Sequence, residues 1–323
     1  MKSTVIIPNY NGIDYITDCL DSVLKNAPCE IIVVDNASTD GSFELLQSQY
    51  GEKIRLIRHK KNTGFSYAVN SGIKAAGTPY VILLNNDTIA DPDFVSELEK
   101  AIESNDKIFS AGAKMISMHD HDKIDDAGDF YCALGYAFAR GKGLSPEKYD
   151  KPCDIFAACA GAAIYRKELL DKEIGLFDNT HFAYLEDIDV GYRAKIHGYR
   201  NIFAPKAMVL HAGSASSGSR YNEFKTRLTS RNSVYLIYKN TPALQLILNA
   251  PFLIAGFFVK TLFFTKKGLG KTYLTGLVNG VRLCRTEKAK NKKVRFNSKN
   301  LTHYIRIQLE LWANMFLLLS NAK

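Results

Sequence analysis

Four short apolar runs organise the first hundred residues. Thr4 to Ile7, Ile31 to Val34, Ile54 to Ile57 and Tyr80 to Leu84 are continuous rather than alternating, the pattern of strands covered on both faces. Pro8 is expected to stop the first run, and the breakers Gly77 and Pro79 precede the fourth. Between the runs, Ile13, Ile16, Leu20, Val23 and Leu24, then Phe43, Leu45 and Leu46, then Ala68, Val69 and Ile73 recur at helical spacing. This βαβαβαβ alternation predicts an α/β fold with a parallel sheet and right-handed crossovers.

Past residue 105 the pattern is less regular. Ser110 to Met118 reads as a strand, Asp125 to Lys142 as a Gly- and aromatic-rich hairpin, and Cys159 to Tyr165 as small residues for close packing. Ile188, Tyr192 and Ile196 mark a helix that stops at Gly198 and carries Glu186 and Asp187 in its first turn. A further helix is expected over about 222–239. Leu244 to Val259 is apolar but short of the ~20 residues of a transmembrane helix. Asn249 and Pro251 are expected to interrupt it, so it reads as interfacial or re-entrant.

Charge divides the chain at the same place. From Lys239 to Lys323 there are 15 Lys and Arg against 2 acids, while residues 1–238 carry 27 against 31. Apolar stretches alternating with cationic ones suit an anionic membrane surface; the alternative is packing on the catalytic portion or in a homo-oligomer. A nucleic-acid-binding module is excluded, because the positive charge sits in an apolar tail without stacking or groove-reading motifs. The six cysteines fall in no paired spacing, which disfavours a zinc site or a disulfide framework. The N-terminal apolar run is too short for a signal peptide, so a cytoplasmic catalytic portion is expected.

The chemistry collects where strands end. Ligands of open α/β sheets bind at the strand carboxyl ends, and there stand Asp35 and Asn85-Asn86-Asp87. The ordinary alternative is that Asp87 or Asp91 caps the helix starting near Asp93. Asn9-Tyr10-Asn11-Gly12 matches neither common glycine fingerprint, and two carboxylates would repel a diphosphate unless a divalent cation lay between them. Of Glu186, Asp187 and Asp189, the last is placed to pair with Arg193 four residues on, leaving an acid for chemistry. His211 follows a short apolar run and precedes a Gly/Ser-rich loop at 213–219. Arg227 and Arg231, beside Asn232, form a helical face suited to phosphate or acidic substrate, whereas His119 to Asp122 reads as an exposed turn.

In family order, Val5-Ile6-Ile7-Pro8-Asn9-Tyr10-Asn11-Gly12, Val33-Val34-Asp35-Asn36-Ala37-Ser38-Thr39-Asp40-Gly41-Ser42, Asn62-Thr63-Gly64-Phe65, Leu83-Leu84-Asn85-Asn86-Asp87-Thr88, Gly175-Leu176-Phe177-Asp178, Glu186-Asp187-Ile188-Asp189 and His211 resemble the family 2 glycosyltransferases of GT-A fold, in particular the bacterial rhamnosyltransferase-like branch. The resemblance implies an inverting, metal-dependent transfer from a nucleotide sugar to a lipid-linked saccharide in surface polysaccharide synthesis, at the inner face of the membrane. It implies dTDP-rhamnose as donor, with a UDP-hexose as the alternative. Pro8, Tyr10, Asp35, Asn62, Asn85 and Asn86 would then bind the nucleotide sugar. Asp87 and His211 would hold Mn²⁺ or Mg²⁺, Asp187 would be the base, and Glu186 and Arg231 would meet the acceptor. Asn85 stands where the family has an acid. The expected division is a catalytic domain over 1–238, with a nucleotide-sugar half at 1–105 and an acceptor half at 106–238, followed by a helical tail over 239–323.

Overall fold

The computed structural model describes residues 1–26, 28–213 and 221–321. The first half alternates as the apolar runs require: β1 (Ser3–Asn9), α1 (Ile16–Leu24), β2 (Glu30–Asp35), α2 (Ser42–Tyr50), β3 (Arg55–Arg58), α3 (Phe65–Ala75), β4 (Tyr80–Leu84), β5 (Thr88–Ala90) and α4 (Phe94–Glu103). Then come β6 (Ile108–Ser117), β7 (Ile124–Asp126), the hairpin β8 (Asp129–Cys132) and β9 (Tyr136–Ala139), β10 (Cys153–Ile155), β11 (Ala162–Arg166), α5 (Lys167–Lys172), α6 (Glu186–Ile196) and β12 (Arg200–His211). The tail is helical: α7 (Glu223–Asn240), α8 (Ala243–Lys266), α9 (Gly270–Cys284), α10 (Glu287–Lys292) and α11 (Leu301–Asn321).

Among the described residues the central sheet runs β10-β12-β6-β11-β4-β1-β2-β3. Neighbours β1, β2, β3 and β4 are parallel, whereas β11 lies antiparallel between β4 and β6. Strand side chains alternate between two cores. Val5, Ile7, Val33, Ile82 and Leu84 pack with Leu20 and Phe94 on one face. Ile6, Ile32, Val34, Val81 and Leu83 pack with Val69, Ile73 and Val190 on the other. Continuous apolar runs are what this double burial demands.

Two expectations are corrected. β1 runs through Pro8 to Asn9, because pairing with β4 ends at Ile6↔Leu83 and the missing N–H breaks no ladder there. α8 runs unbroken through Asn249 and Pro251. Asn249 does not disrupt it because its amide bonds outward, reciprocally with Gln308 at 3.0 and 2.8 Å. The expected loop at 213–219 lies, after Gly213, outside the described residues. The 238/239 boundary falls inside α7.

Candidate functional site

The carboxyl ends of β1, β2 and β4 meet at Asn9. Parallel pairing sets Asn9 opposite Asp35, and its fully buried amide donates to Asp35 Oδ1 at 3.2 Å and to the Ser38 and Ser42 hydroxyls at 3.2 and 2.9 Å. Its oxygen accepts from Asn86 Nδ2 at 2.8 Å. Gly12 permits this approach, since a Cβ there would collide with Asn86 Nδ2. Asn62 joins through Asn36, whose Nδ2 donates to it at 3.0 Å. A cleft lined by Ala37, Ser38, Thr39, Arg58, His59 and Lys60 opens beside Asp35, whose Oδ2 lies 4.0 Å from Arg58 Nε. Pro8 lies within β1, one residue before its end, and Tyr10, 38% exposed, stands in the loop after it.

Asp87 caps nothing. The N-cap of α4 is Asp93, and β5 pairs with β12 so that Asp87 Oδ1 lies 3.3 Å from His211 Nε2. The other ring nitrogen, Nδ1, faces Asp125 Oδ2 at 2.7 Å, and Asp125 pairs with Lys142 at 2.6 Å. Burial opposes charge on the imidazole, but bonds to Asp125 and Asp87 raise His211 to about 9. A carboxylate oxygen and an imidazole nitrogen at this spacing, with a second carboxylate orienting the ring, form a donor set that fits Mn²⁺ or Mg²⁺.

The next residue of β7 serves a second cluster. Asp126, Asp129 and Cys159 bring their ligand atoms within 4.8 Å of one another. Burial, then the neighbouring acids, pushes the Cys159 thiol well up, which makes it a poor ligand for a hard cation. The cluster lies by Asp187, whose carboxylate takes a hydrogen bond from the Ile188 N–H at 2.7 Å and whose charged form the Ala160 backbone and the Asp129 side chain favour. Burial comes first in raising all of these acids, Asp126 to about 7 and Asp129 well above the carboxylate range. Acids this close cannot all ionise: burial and Asp126 favour the protonated form of Asp129, which in turn favours the charged form of Asp187. Glu186 is also raised, by burial and then by Asp187, and its Oε2 has no hydrogen-bond partner among the described residues.

One dipeptide joins the two clusters. The Ala160 backbone favours the charged form of Asp187, and the oxygen of Gly161 accepts from the Asn85 N–H at 2.8 Å. Of the residues expected at the site, Asp35, Asn85, Asn86 and Asp87 follow or end the strands β2 and β4, His211 ends β12 beside Asp87, Asn62 joins through Asn36, and Asp187 opens α6.

Arg231 goes elsewhere than expected. The loop before α6 holds Phe182, Tyr184 and Leu185 at φ of 66°, 71° and 68°, a left-handed run that non-glycine residues avoid. Its carbonyls turn toward α7, and Arg231 satisfies them, Nη2 donating to Thr180 and His181 oxygens at 3.0 and 2.7 Å. Asn232, fully buried, donates to the oxygens of His181, Ala183 and Tyr184 at 3.0, 2.9 and 2.8 Å. Asp189 pairs with Arg193 at 3.0 Å as expected, and also with Lys239 at 2.8 Å.

Asn9, Asp125, Asp129 and Asn232 were not expected at the site. Asp125 and Asp129 lie in a stretch read for its glycines and aromatics. Asn232 was noted only as the neighbour of Arg231. Asn9 stands in the motif Val5 to Gly12, but no role was attached to it there.

The profile of Glycosyl transferase family 2 matches residues 4–173. An uncharacterized glycosyltransferase of Rickettsia prowazekii (strain Madrid E) is 28% identical over 197 residues, covering 59% of this chain and 57% of the relative; the chain thus spans little more than half of that protein. Among solved structures, Staphylococcus aureus TarS 1-349 in complex with UDP-GlcNAc superposes with a TM-score of 0.61 at 19% identity, over 95% of this chain and 88% of TarS. The mannosyltransferase PcManGT from Pyrobaculum calidifontis, in complex with GDP-Man and Mn²⁺, gives 0.53 at 17% identity, over 90% and 86%.

Proposed function

The chain belongs to Glycosyl transferase family 2 and has a GT-A fold, and on that premise we propose that it is an inverting transferase. It moves a sugar, rhamnose from dTDP-rhamnose, to a lipid-linked saccharide at the inner face of the cell membrane, in surface polysaccharide synthesis. What supports this reading is the Ala160-Gly161 junction: the Gly161 oxygen accepts from the Asn85 N–H at 2.8 Å, and the Ala160 backbone favours the charged form of Asp187.

The residues divide the work. Asp35 and the network of Asn9, Asn62 and Asn86 orient the nucleotide sugar. Asp87 and His211 would hold Mn²⁺ or Mg²⁺, which when bound supplies positive charge to the diphosphate leaving group. Asp187 accepts the proton of the acceptor hydroxyl as that oxygen bonds to the anomeric carbon, while the bond from that carbon to the diphosphate oxygen breaks on the opposite face. A carboxylate is a weak base, so this proton moves late, when the attacking oxygen has become acidic. Glu186, held protonated with an oxygen unpartnered, lies next to the base and is suited to the acceptor.

The test is a panel of nucleotide sugars, dTDP-rhamnose, UDP-hexoses and GDP-mannose, with Mn²⁺ and Mg²⁺. Asp187→Asn should lower transfer by about 10²–10⁴-fold while leaving nucleotide affinity nearly intact. Asp87→Ala should lose metal-dependent nucleotide binding. A substantial transfer rate in Asp187→Asn would refute the assignment of the base.

A further inference from the structure

Helix α8 buries amides, α9 sets glycines against the body, and α11 buries Gln308 and Asn314 together with the apolar Tyr304, Ile307 and Leu311. Gln245 and Asn249 of α8 are nearly fully buried and bond to α11, Gln245 Nε2 to the Tyr304 oxygen at 2.7 Å and Asn249 to Gln308 and Trp312. In α9, Gly276 and Gly280 lie so close to α7 that a Cβ would strike Ser230 Oγ and come within 2.7 Å of the Arg231 oxygen. Away from the protein they present hydrocarbon. Leu244, Ile247, Ile254 and Phe258 of α8 are 63 to 71% exposed along one stripe, continued by Ile305, Leu309 and Phe316 of α11 and by Leu274 and Val278 of α9.

A polar seam inside and an apolar face outside is stable only where the surroundings are themselves apolar. α8 is long and apolar enough to cross a membrane. Its contacts argue against crossing, since it is bonded along its length to the body: at Gln245 and Asn249 to α11, at Gly256, whose oxygen accepts from the Tyr136 hydroxyl at 2.5 Å, and at Lys260, whose ammonium sits 4.0 Å over the Tyr136 ring. A helix held that way lies in the interface plane. Charge decides between lipid and a second copy. The tail has 15 Lys and Arg against 2 acids; Lys239, Lys260 and Lys292 are engaged with the body, and the excess that is left would bring like charges together between two such faces, whereas anionic headgroups complement it. At the α8–α9 corner a groove lined by Thr265, Lys271, Leu274, Val278 and Arg282 sets two cations beside apolar side chains.

We propose that the outer face of α8, α9 and α11 docks in-plane on an anionic lipid bilayer. The same helices carry the β8–β9 hairpin: Ala133 N–H donates to the Leu311 oxygen at 3.0 Å and Asn314 Nδ2 to the Tyr131 oxygen at 2.9 Å. That hairpin begins at Asp129, which favours the charged form of Asp187, so the docked helices are tied to the base through one hairpin. This last consequence rests on the proposed function, while the docking itself does not.

The full chain is sedimented with vesicles of phosphatidylcholine alone or with phosphatidylglycerol, without any donor sugar, so the outcome is independent of catalysis. Binding to the anionic vesicles is expected. It should fall at least about tenfold in Ile254→Asp/Phe258→Asp, at unchanged melting temperature because both side chains are exposed. It should fall roughly fivefold for each of Lys266→Glu and Lys271→Glu. Absence of sedimentation with anionic vesicles overturns the proposal, as does a stable dimer in detergent-free solution that the Ile254/Phe258 variant dissociates, which would assign the face to a second copy.

Discussion

At the scale of the residue, the base is set by its neighbours. Asp129, raised by burial and by Asp126, favours the charged form of Asp187. Removing that side chain raises the Asp187 pKa, so we predict that Asp129→Ala moves the acid limb of the transfer pH profile to higher pH. Asp129→Asn places an N–H donor there and should leave the limb near its original place. Equal shifts in the two variants would contradict this account. Asn232 acts one step further out. A non-glycine residue in a sparsely populated conformation costs about 1–3 kcal/mol, and Asn232 offsets that for the 182–185 loop by bonding three of its neighbouring carbonyls. We predict that Asn232→Ala lowers kcat by up to about 100-fold through misplacement of Asp187, with KM for the donor little changed. A parallel loss of donor affinity would show that Asn232 supports the whole site rather than the base.

At the scale of the element, α6 and α7 are fastened by buried ion pairs. Asp178 meets Lys239 at 2.9 Å and also Lys292, and Asp189 meets Lys239 and Arg193. Despite burial, these cations hold both carboxyls well below the usual carboxylate range. Groups whose folded pKa is depressed contribute stability that is complete above the unfolded value of about 4 and is lost as pH falls through the folded value. We predict a melting temperature that declines below about pH 4, less steeply in Asp178→Asn. The helix periodicities announced α6 and α7, and the spacing of Asp189 and Arg193 announced their pair. Lys239 and Lys292 could not be read that way, since they reach Asp178 from 61 and 114 residues away.

At the scale of the whole molecule, charge and apolarity were legible as a division near residue 239, and we propose a catalytic body with a membrane-docking tail. The two are nonetheless interlocked. Lys239 and Asn240 reach into the α6 network, α9 packs on α7, and Lys292 of the basic run is engaged with Asp178. We predict that a chain ending at residue 238 fails to fold to a soluble species with the melting temperature of the full chain; a soluble, nucleotide-binding fragment would show the tail to be dispensable for the body.

Local pattern determined the alternating elements of the first half, the parallel pairing of its first four strands, and the acids waiting at their ends, because double burial writes itself as unbroken apolar runs and a sheet edge as the polar residues that follow. Only the tertiary structure decided which of those residues meet. That Asp125 turns His211 toward Asp87, that Asp126 and Asp129 load a proton beside Asp187, and that Asn249 faces inward while Ile254 faces out are matters of register and packing between segments distant in the chain, and spacing along one strand or helix carries no record of them.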